Sequence, residues 1–289
     1  MKFDGLPEIL RGTVGADWAV GGFDTVNLEI SQAILEAAEA EQSPVILMLL
    51  PAHTALADLP GLIAAIKAEA EKVTVPVCLL LDHATTLEQV MTGIRLGCSA
   101  IMFDASGFPL AENIARTRAV VEVAHAAGVS VEAELGHVGG GDESGAGASL
   151  ESVLTRVEDA ARFVAETGVD ALAVSIGTAH GPYIKKPKLD FDRTKRLRDS
   201  LDLPLVLHGG SSNPDEDIRR LIELGIDKIN VWTDIALAYM DATKTTLTDP
   251  AGPHPLHDVL HAARGAAREV VAERMRLFGS AGQAGARPR

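Results

Sequence analysis

The chain of 289 residues has only two cysteines, Cys78 and Cys98, each in an apolar setting and with no CxxC spacing. That argues against a disulfide framework or a sulfur-ligated metal, and for buried thiols. No run of 18 apolar residues occurs, and the opening MKFDGLPEIL has neither the basic start nor the apolar stretch of a signal peptide. A membrane span and a secretory leader are therefore not expected, and a cytoplasmic location is. Basic residues are in deficit, 26 against 40 acidic ones, for a formal charge of −14. Such a balance argues against nucleic acid or an anionic membrane as a partner. An anionic small molecule would then have to be held by local cations, backbone N–H groups or a metal. Aromatics are scarce at 4%, while 47% of residues are apolar and 23% charged, the make-up of a globular protein. The length permits two domains, but also one α/β barrel of about 250 residues.

Short apolar runs alternate with helical patterns along the whole chain. Residues 18–23, 45–50, 77–81, 100–103, 129–135, 171–176, 205–207 and 226–231 read as strands. The run at 77–81 does not alternate, which suits a strand covered on both faces. Helices are expected from 27 onward and at 59–73, 86–96, 110–127, 152–167, 192–200, 214–224, 233–246 and 255–277, with Gly97 as a helix stop. Residues 136–149, GHVGGGDESGAGAS, are too rich in glycine to pack and read as a mobile loop. Eight such strands with helices between them predict a single-domain (β/α)8 TIM barrel over 1–289, with an extra C-terminal helix and a flexible tail over 278–289. A doubly wound open sheet is the alternative.

In a barrel, the polar residues at strand C-terminal ends converge on one face. Here those residues are Asp82, His83, Asp104, Glu134, His180, His208 and Asn230. His83, His180 and His208 would form a zinc site with one position open for substrate. Each alone is equally accounted for as a hydrogen-bonded histidine at a strand end. Asp82 beside His83 would move a proton near a metal-bound oxygen, or would instead open the helix behind it. Asp104 and Glu134 would orient the histidines or offer another metal position. Asp142 and Glu143 in the glycine-rich loop would swing in as a base, or stay solvated. Gly209-Gly210-Ser211-Ser212 and the turn from Thr178 to Gly181 expose backbone N–H groups of the kind that bind phosphate. Asn230 and Thr233 add donors there, and Lys185 is the nearest cation.

The segments LLLDHATT, MFDAS, VEAELGHVGG, TGVDALAVSIGTAHGPY, LPLVLHGGSS, INVWTD and LFGSA occur in order. Through them the sequence resembles the class II, zinc-dependent fructose- and tagatose-bisphosphate aldolases over nearly its whole length. The resemblance implies Zn2+ on His83, His180 and His208, stabilising an enediolate formed from dihydroxyacetone phosphate. It implies Asp82 as the acid or base on the aldehyde side, and Asp104 and Glu134 around the metal. Gly181, Gly209, Ser211, Asn230 and Thr233 would hold the ketose phosphate, with a monovalent cation (Na+ or K+) nearby. The implied assembly is a homodimer or homotetramer.

Several positions depart from the family pattern. The loop glutamate that moves the C–H proton is matched by Asp142, with Glu143 beside it. Phe23-Asp24-Thr25 replaces Phe-Asn-Val, so Asp24 faces substrate with a carboxylate instead of an amide. Leu50 replaces a hydroxyl residue, Met48 stands where Gln is common, and Ile184 where many fructose-specific members carry lysine. The tail reads Gly279-Ser280-Ala281-Gly282-Gln283, without the basic residue that binds the distal phosphate, although Arg287 follows. These departures predict retained metal chemistry on a different substrate, with an aldehyde half that lacks phosphate. The rival readings are a sugar-phosphate-binding barrel that no longer turns substrate over, and a metal-dependent hydrolase.

Overall fold

A strand such as residues 77–81, apolar at every position, has to be covered on both faces. The computed structural model describes residues 3–51, 58–138, 153–179, 181 and 188–286. In it, parallel strands β1 (Val20–Asp24), β2 (Val45–Leu49), β3 (Val77–Ala84), β4 (Ala100–Phe103), β5 (Ser130–Leu135), β6 (Ala171–Val174), β7 (Leu205–Leu207) and β8 (Lys228–Val231) close into a barrel in sequence order. Val20 registers with Lys228 and Gly22 with Asn230 across the β1–β8 seam, which eliminates the open sheet. The outer layer is made of α2 (Leu28–Glu41), α3 (Leu59–Ala70), α4 (Leu87–Leu96), α5 (Leu110–Ala126), α6 (Val157–Thr167), α7 (Phe191–Ser200), α8 (Asp215–Glu223), α9 (Thr233–Thr248) and α10 (Leu256–Leu277). The fold is a TIM barrel, and among the described residues no helix is long and apolar enough to cross a membrane.

Helix ends follow local chemistry. The Thr86 hydroxyl accepts from Gln89 N–H, and the Gln89 side chain accepts from Thr86 N–H, a reciprocal cap that starts α4. Gly97 ends it in the left-handed region at φ 88°. The cap lies at Thr86, so Asp82 is a strand residue and not a helix-opening one. α6 begins at Val157, later than the 152 expected from pattern.

Strand alternation divides the interior in two. Val20, Ile46, Met48, Cys78, Leu80, Ala100, Met102, Ala171, Ala173 and Val206 point to the barrel axis. Their neighbours Leu47, Leu79, Leu81, Ile101, Val131 and Leu172 point out, into the layer shared with the helices. Extending the inward set by two residues toward the strand C-termini reaches Asp82, Asp104 and His208, and by four residues from Val20, past Gly22, reaches Asp24. The same period carries Glu132, Glu134, Lys228 and Asn230. The polar site is thus the upper continuation of the apolar core.

The first and the last described segments pack at the opposite rim. The short helix α1 (Leu6–Ile9) inserts Leu6, Ile9 and Leu10 beneath the axial cluster. Leu6 N–H donates to Ser130 Oγ at 2.8 Å. Sequence patterning assigns this stretch no element, because four residues are too few to show a period. At the other terminus, Ala19 N–H donates to Phe278 O at 2.9 Å, and Gly282 and Ala284 N–H donate to Glu41 O and Gln42 O at 2.8 Å each. Ser280 Oγ lies 2.8 Å from Ser43 Oγ. The stretch expected to be a loose tail from 278 is therefore bonded to the starts of β1 and β2 as far as a 3-10 turn, Gln283–Ala286. Gln283 sits at the rim away from the polar site, so its identity says nothing about a phosphate in this chain's own pocket. Arg287 lies outside the described residues.

Candidate active site

Residue 83 would point outward if β3 alternated regularly. Instead the β3–β4 register shifts between Leu81 and Ala84, and His83 takes φ 47°. This left-handed conformation is uncommon for a residue other than glycine and clusters at functional sites. It turns the imidazole to the same mouth as Asp82, so that ligand atoms of Asp82, His83 and His208 all lie within 4.8 Å of one another. A second such group is His83, Asp104 and Glu134. The His83 and His208 rings meet edge to face at 4.8 Å.

Hydrogen bonds fix each ring. His83 Nδ1 pairs with Asp104 Oδ2 at 3.0 Å, and Ser106 N–H donates to Asp104 Oδ1 at 2.9 Å. Burial disfavours the Asp104 carboxylate, but the bond to His83 and its charge outweigh this and hold the group far below the usual carboxylate range. Burial likewise opposes a charge on His83, while Asp82 and Asp104 raise its pKa. His208 is fully enclosed. Its Nδ1 bonds Glu134 Oε2 and its Nε2 bonds Glu132 Oε1, both at 2.9 Å. Burial works against the imidazolium there, yet the two glutamates push its pKa up to about 10. Metal binding at His208 would exchange that proton for the ion and release one nitrogen from its carboxylate.

Beneath this ring lies an ion pair that sequence reasoning missed. Lys228 Nζ bonds Glu132 Oε2 at 2.7 Å, with neither side chain exposed. Burial raises the Glu132 carboxyl, but Lys228 and His208 bring it down to about 2. The signal was a charged residue, Glu132 or Lys228, at an inward position well before the C-terminal end of its strand, SVEAEL or KINV.

A pocket of about 270 Å³ opens beside Asp82 and His83, lined also by Asp24, Leu50, Ala179, Gly181, Gly209, Ser211, Asn230, Trp232 and Thr233. Several buried polar atoms facing it have no hydrogen-bond partner among the described residues: Asp24 Oδ1, Asp82 Oδ1 and both ends of the Asn230 amide. Unpaired buried groups of this kind are costly unless something bonds them. Burial, and then the charge of Asp82, push the Asp24 carboxyl well above its ordinary value. Gly209 adopts φ 66°, and a side chain there would strike the Ala179 carbonyl. The α9 N-terminus, at Thr233, also faces the pocket, where its exposed amides and dipole suit an anion. The expectation for Gly210 is corrected: its N–H donates to Asn230 O at 3.0 Å, so it is not free for a phosphate. Gly210 instead lets β7 and β8 approach, since a Cβ would sit 2.7 Å from Asn230 O. Ser212 N–H is likewise taken, by Asp234 at 3.1 Å.

Of the residues expected at the site, the structure gathers Asp24, Asp82, His83, Asp104, Glu134, Gly181, Gly209, His208, Ser211, Asn230 and Thr233 around one mouth. His180, Asp142, Glu143 and Lys185 lie outside the described residues. The donor set fits a divalent cation. It combines two imidazoles with carboxylates of Asp82, Asp104 and Glu134, and the Asp82 oxygen that lacks a partner is buried beside the rings.

Comparison with known proteins agrees with this geometry. Residues 5–283 match the family described as fructose-bisphosphate aldolase class-II. A fructose-bisphosphate aldolase of Geobacillus stearothermophilus is 39% identical over 98% of this chain and 99% of its own. A probable fructose-bisphosphate aldolase of Bacillus subtilis (strain 168) is 41% identical over 98% of this chain and all of its own. Among solved structures, the YdjI aldolase of Escherichia coli K12 superposes with a TM-score of 0.87 at 34% identity, covering 98% of this chain and 100% of that one. With a matched family model spanning the barrel and relatives of this identity along its full length, the chain belongs to the class II fructose-bisphosphate aldolase family.

Proposed function

We propose that this aldolase is zinc-dependent and reversibly cleaves a ketose phosphate or bisphosphate to dihydroxyacetone phosphate and an aldehyde. The observation that carries the reading is the meeting of Asp82, His83 and His208 at one barrel mouth, made possible by the irregular end of β3. The relatives' names, fructose-bisphosphate aldolase, supply the substrate class. His83 and His208, together with His180, would hold the zinc, with Glu134 and Asp104 as neighbouring carboxylates. Bound there, the ion supplies Lewis acidity toward the substrate carbonyl.

The remaining chemistry belongs to the side chains. In cleavage, Asp82 takes the proton from the hydroxyl on the carbon that becomes the aldehyde. That carbon's bond to its neighbour breaks as its C=O forms, and the bonding electron pair stays with the three-carbon fragment. A loop carboxylate, Asp142 or Glu143, then returns a proton to the fragment's carbon, giving dihydroxyacetone phosphate. Ser211, Gly209, Gly181, Asn230 and the α9 N-terminus bind the phosphate end, assisted by Lys185 and a monovalent cation, Na+ or K+. The enzyme works in the cytoplasm as a homodimer or homotetramer. The exposed α9 side chains Leu237, Met240 and Leu247 support a self-association surface.

The test couples zinc quantification to release of dihydroxyacetone phosphate from a panel of ketose 1-phosphates and 1,6-bisphosphates. The expected result is about one zinc per chain, cleavage of at least one substrate, loss on chelation and recovery with zinc. Zinc-loaded protein that cleaves none of the panel, or metal-free protein that cleaves as well as loaded protein, refutes the reading.

A further inference from the structure

The order of strands around the mouth divides the pocket into sectors. The histidines and their carboxylates come from β3, β4, β5 and β7, and the anion-binding turns follow β6, β7 and β8. What remains is the β1–β2 sector. Its described lining is Asp24 at the end of β1 and Leu50 just beyond β2. If phosphate-bearing carbons occupy the β7–β8 side and Asp82 serves the aldehyde-side hydroxyl, the aldehyde half extends over this remaining sector.

That sector's chemistry is specific. Asp24 is 7% exposed, and its Oδ1 has no partner among the described residues. Among the described residues no lysine or arginine lines the pocket. Lys228 reaches the neighbourhood only from below, where it is bonded to Glu132. A buried carboxyl paired with a leucine offers a hydroxyl one strong acceptor and a carbon skeleton an apolar wall. It offers a phosphate dianion neither a donor array nor a counter-charge.

We propose that Asp24 is the specificity-determining residue for the aldehyde half, accepting a hydrogen bond from an uncharged hydroxylated aldehyde and excluding a phosphorylated one. The inference rests on the aldolase reading above. The test runs aldol addition with dihydroxyacetone phosphate and either glyceraldehyde or glyceraldehyde 3-phosphate, comparing kcat/KM for the two acceptors in wild type and in Asp24→Asn. Wild type should favour glyceraldehyde by at least about ten-fold, and Asp24→Asn should move the ratio toward the phosphorylated acceptor by at least about ten-fold. Because the ratio is taken within one preparation, any loss of folded protein cancels. A wild-type preference for glyceraldehyde 3-phosphate, or an unchanged ratio in the variant, overturns the proposal. Deuterium exchange into dihydroxyacetone phosphate by wild type, without acceptor, reports on the aldolase reading separately. Absence of exchange overturns both readings, whereas exchange with an unchanged ratio overturns only this one.

Discussion

Replacing Lys228 by methionine keeps most of the side chain's volume but removes its charge, leaving Glu132 enclosed with His208 as its remaining partner. Both members of the pair are wholly buried and 2.7 Å apart. Holding the Glu132 carboxyl near 2 instead of its ordinary 4.5 corresponds to about 3 kcal/mol of preference for the ionised form, against the cost of burial. Lys228 is the largest of the groups pulling in that direction. Deleting one partner of a buried pair costs about 3–5 kcal/mol in general. The expected loss is therefore about 3 kcal/mol, with His208 moderating the upper figure. For a chain of this size that is a fall of about 6 °C in Tm. The assay is urea and thermal unfolding with chelator present, since bound metal would add stability by mass action. Converting Glu132 to glutamine in the Lys228→Met background should recover part of the loss, because it removes the stranded charge. A single variant within about 1 kcal/mol of wild type, or a double variant less stable than Lys228→Met alone, would refute the reasoning.

Three further outcomes are expected. Asp82→Ala should keep its zinc but lose about 10²–10⁴-fold in cleavage rate; full activity in that variant would remove Asp82 from its assigned role. Cys78 and Cys98 are buried, and burial pushes both thiols up to about 12. Titration with a thiol reagent at pH 8 should thus find neither in native protein and both after denaturation. Thr86→Ala breaks the reciprocal cap at the start of α4, where Gln89 N–H now donates to Thr86 Oγ1 at 3.2 Å. It should cost about 1 kcal/mol in chemical unfolding, and an unchanged midpoint would show that the cap contributes nothing.

Much of the site was legible because strand period and strand end are both written in the chain. Asp82, Glu134 and Asn230 follow from counting inward positions to the C-terminal end of each strand, whereas Asp24 was legible only through the resemblance, as a departure from its Phe-Asn-Val. His83 is the instructive exception. Regular alternation sends it outward, and only the register shift at Leu81–Ala84 with a left-handed residue brings it in. Its position after a strand suggested a role; its direction was not in the pattern. The Glu132–Lys228 pair was invisible for another reason. The partners are 96 residues apart, and pairing across the barrel depends on closure and stagger, which local sequence does not encode. The same holds for Gly210, where a small residue that looked like a phosphate turn is needed for the close approach of two strands. The C-terminal segment misled through composition: glycine and alanine suggest looseness, whereas its backbone is bonded to Glu41 and Gln42.

That C-terminal bonding has a practical consequence. Because residues 278–286 fasten to the starts of β1 and β2, a carrier joined behind them leaves the molecule from the floor of the cylinder, while the catalytic opening is at the ceiling. Immobilisation or labelling through this end would point the opening away from the support and leave the approach of sugar phosphates unobstructed. Clipping the chain ahead of Phe278 would do the opposite of freeing a tail: it would pull out the stopper on which the first strand begins.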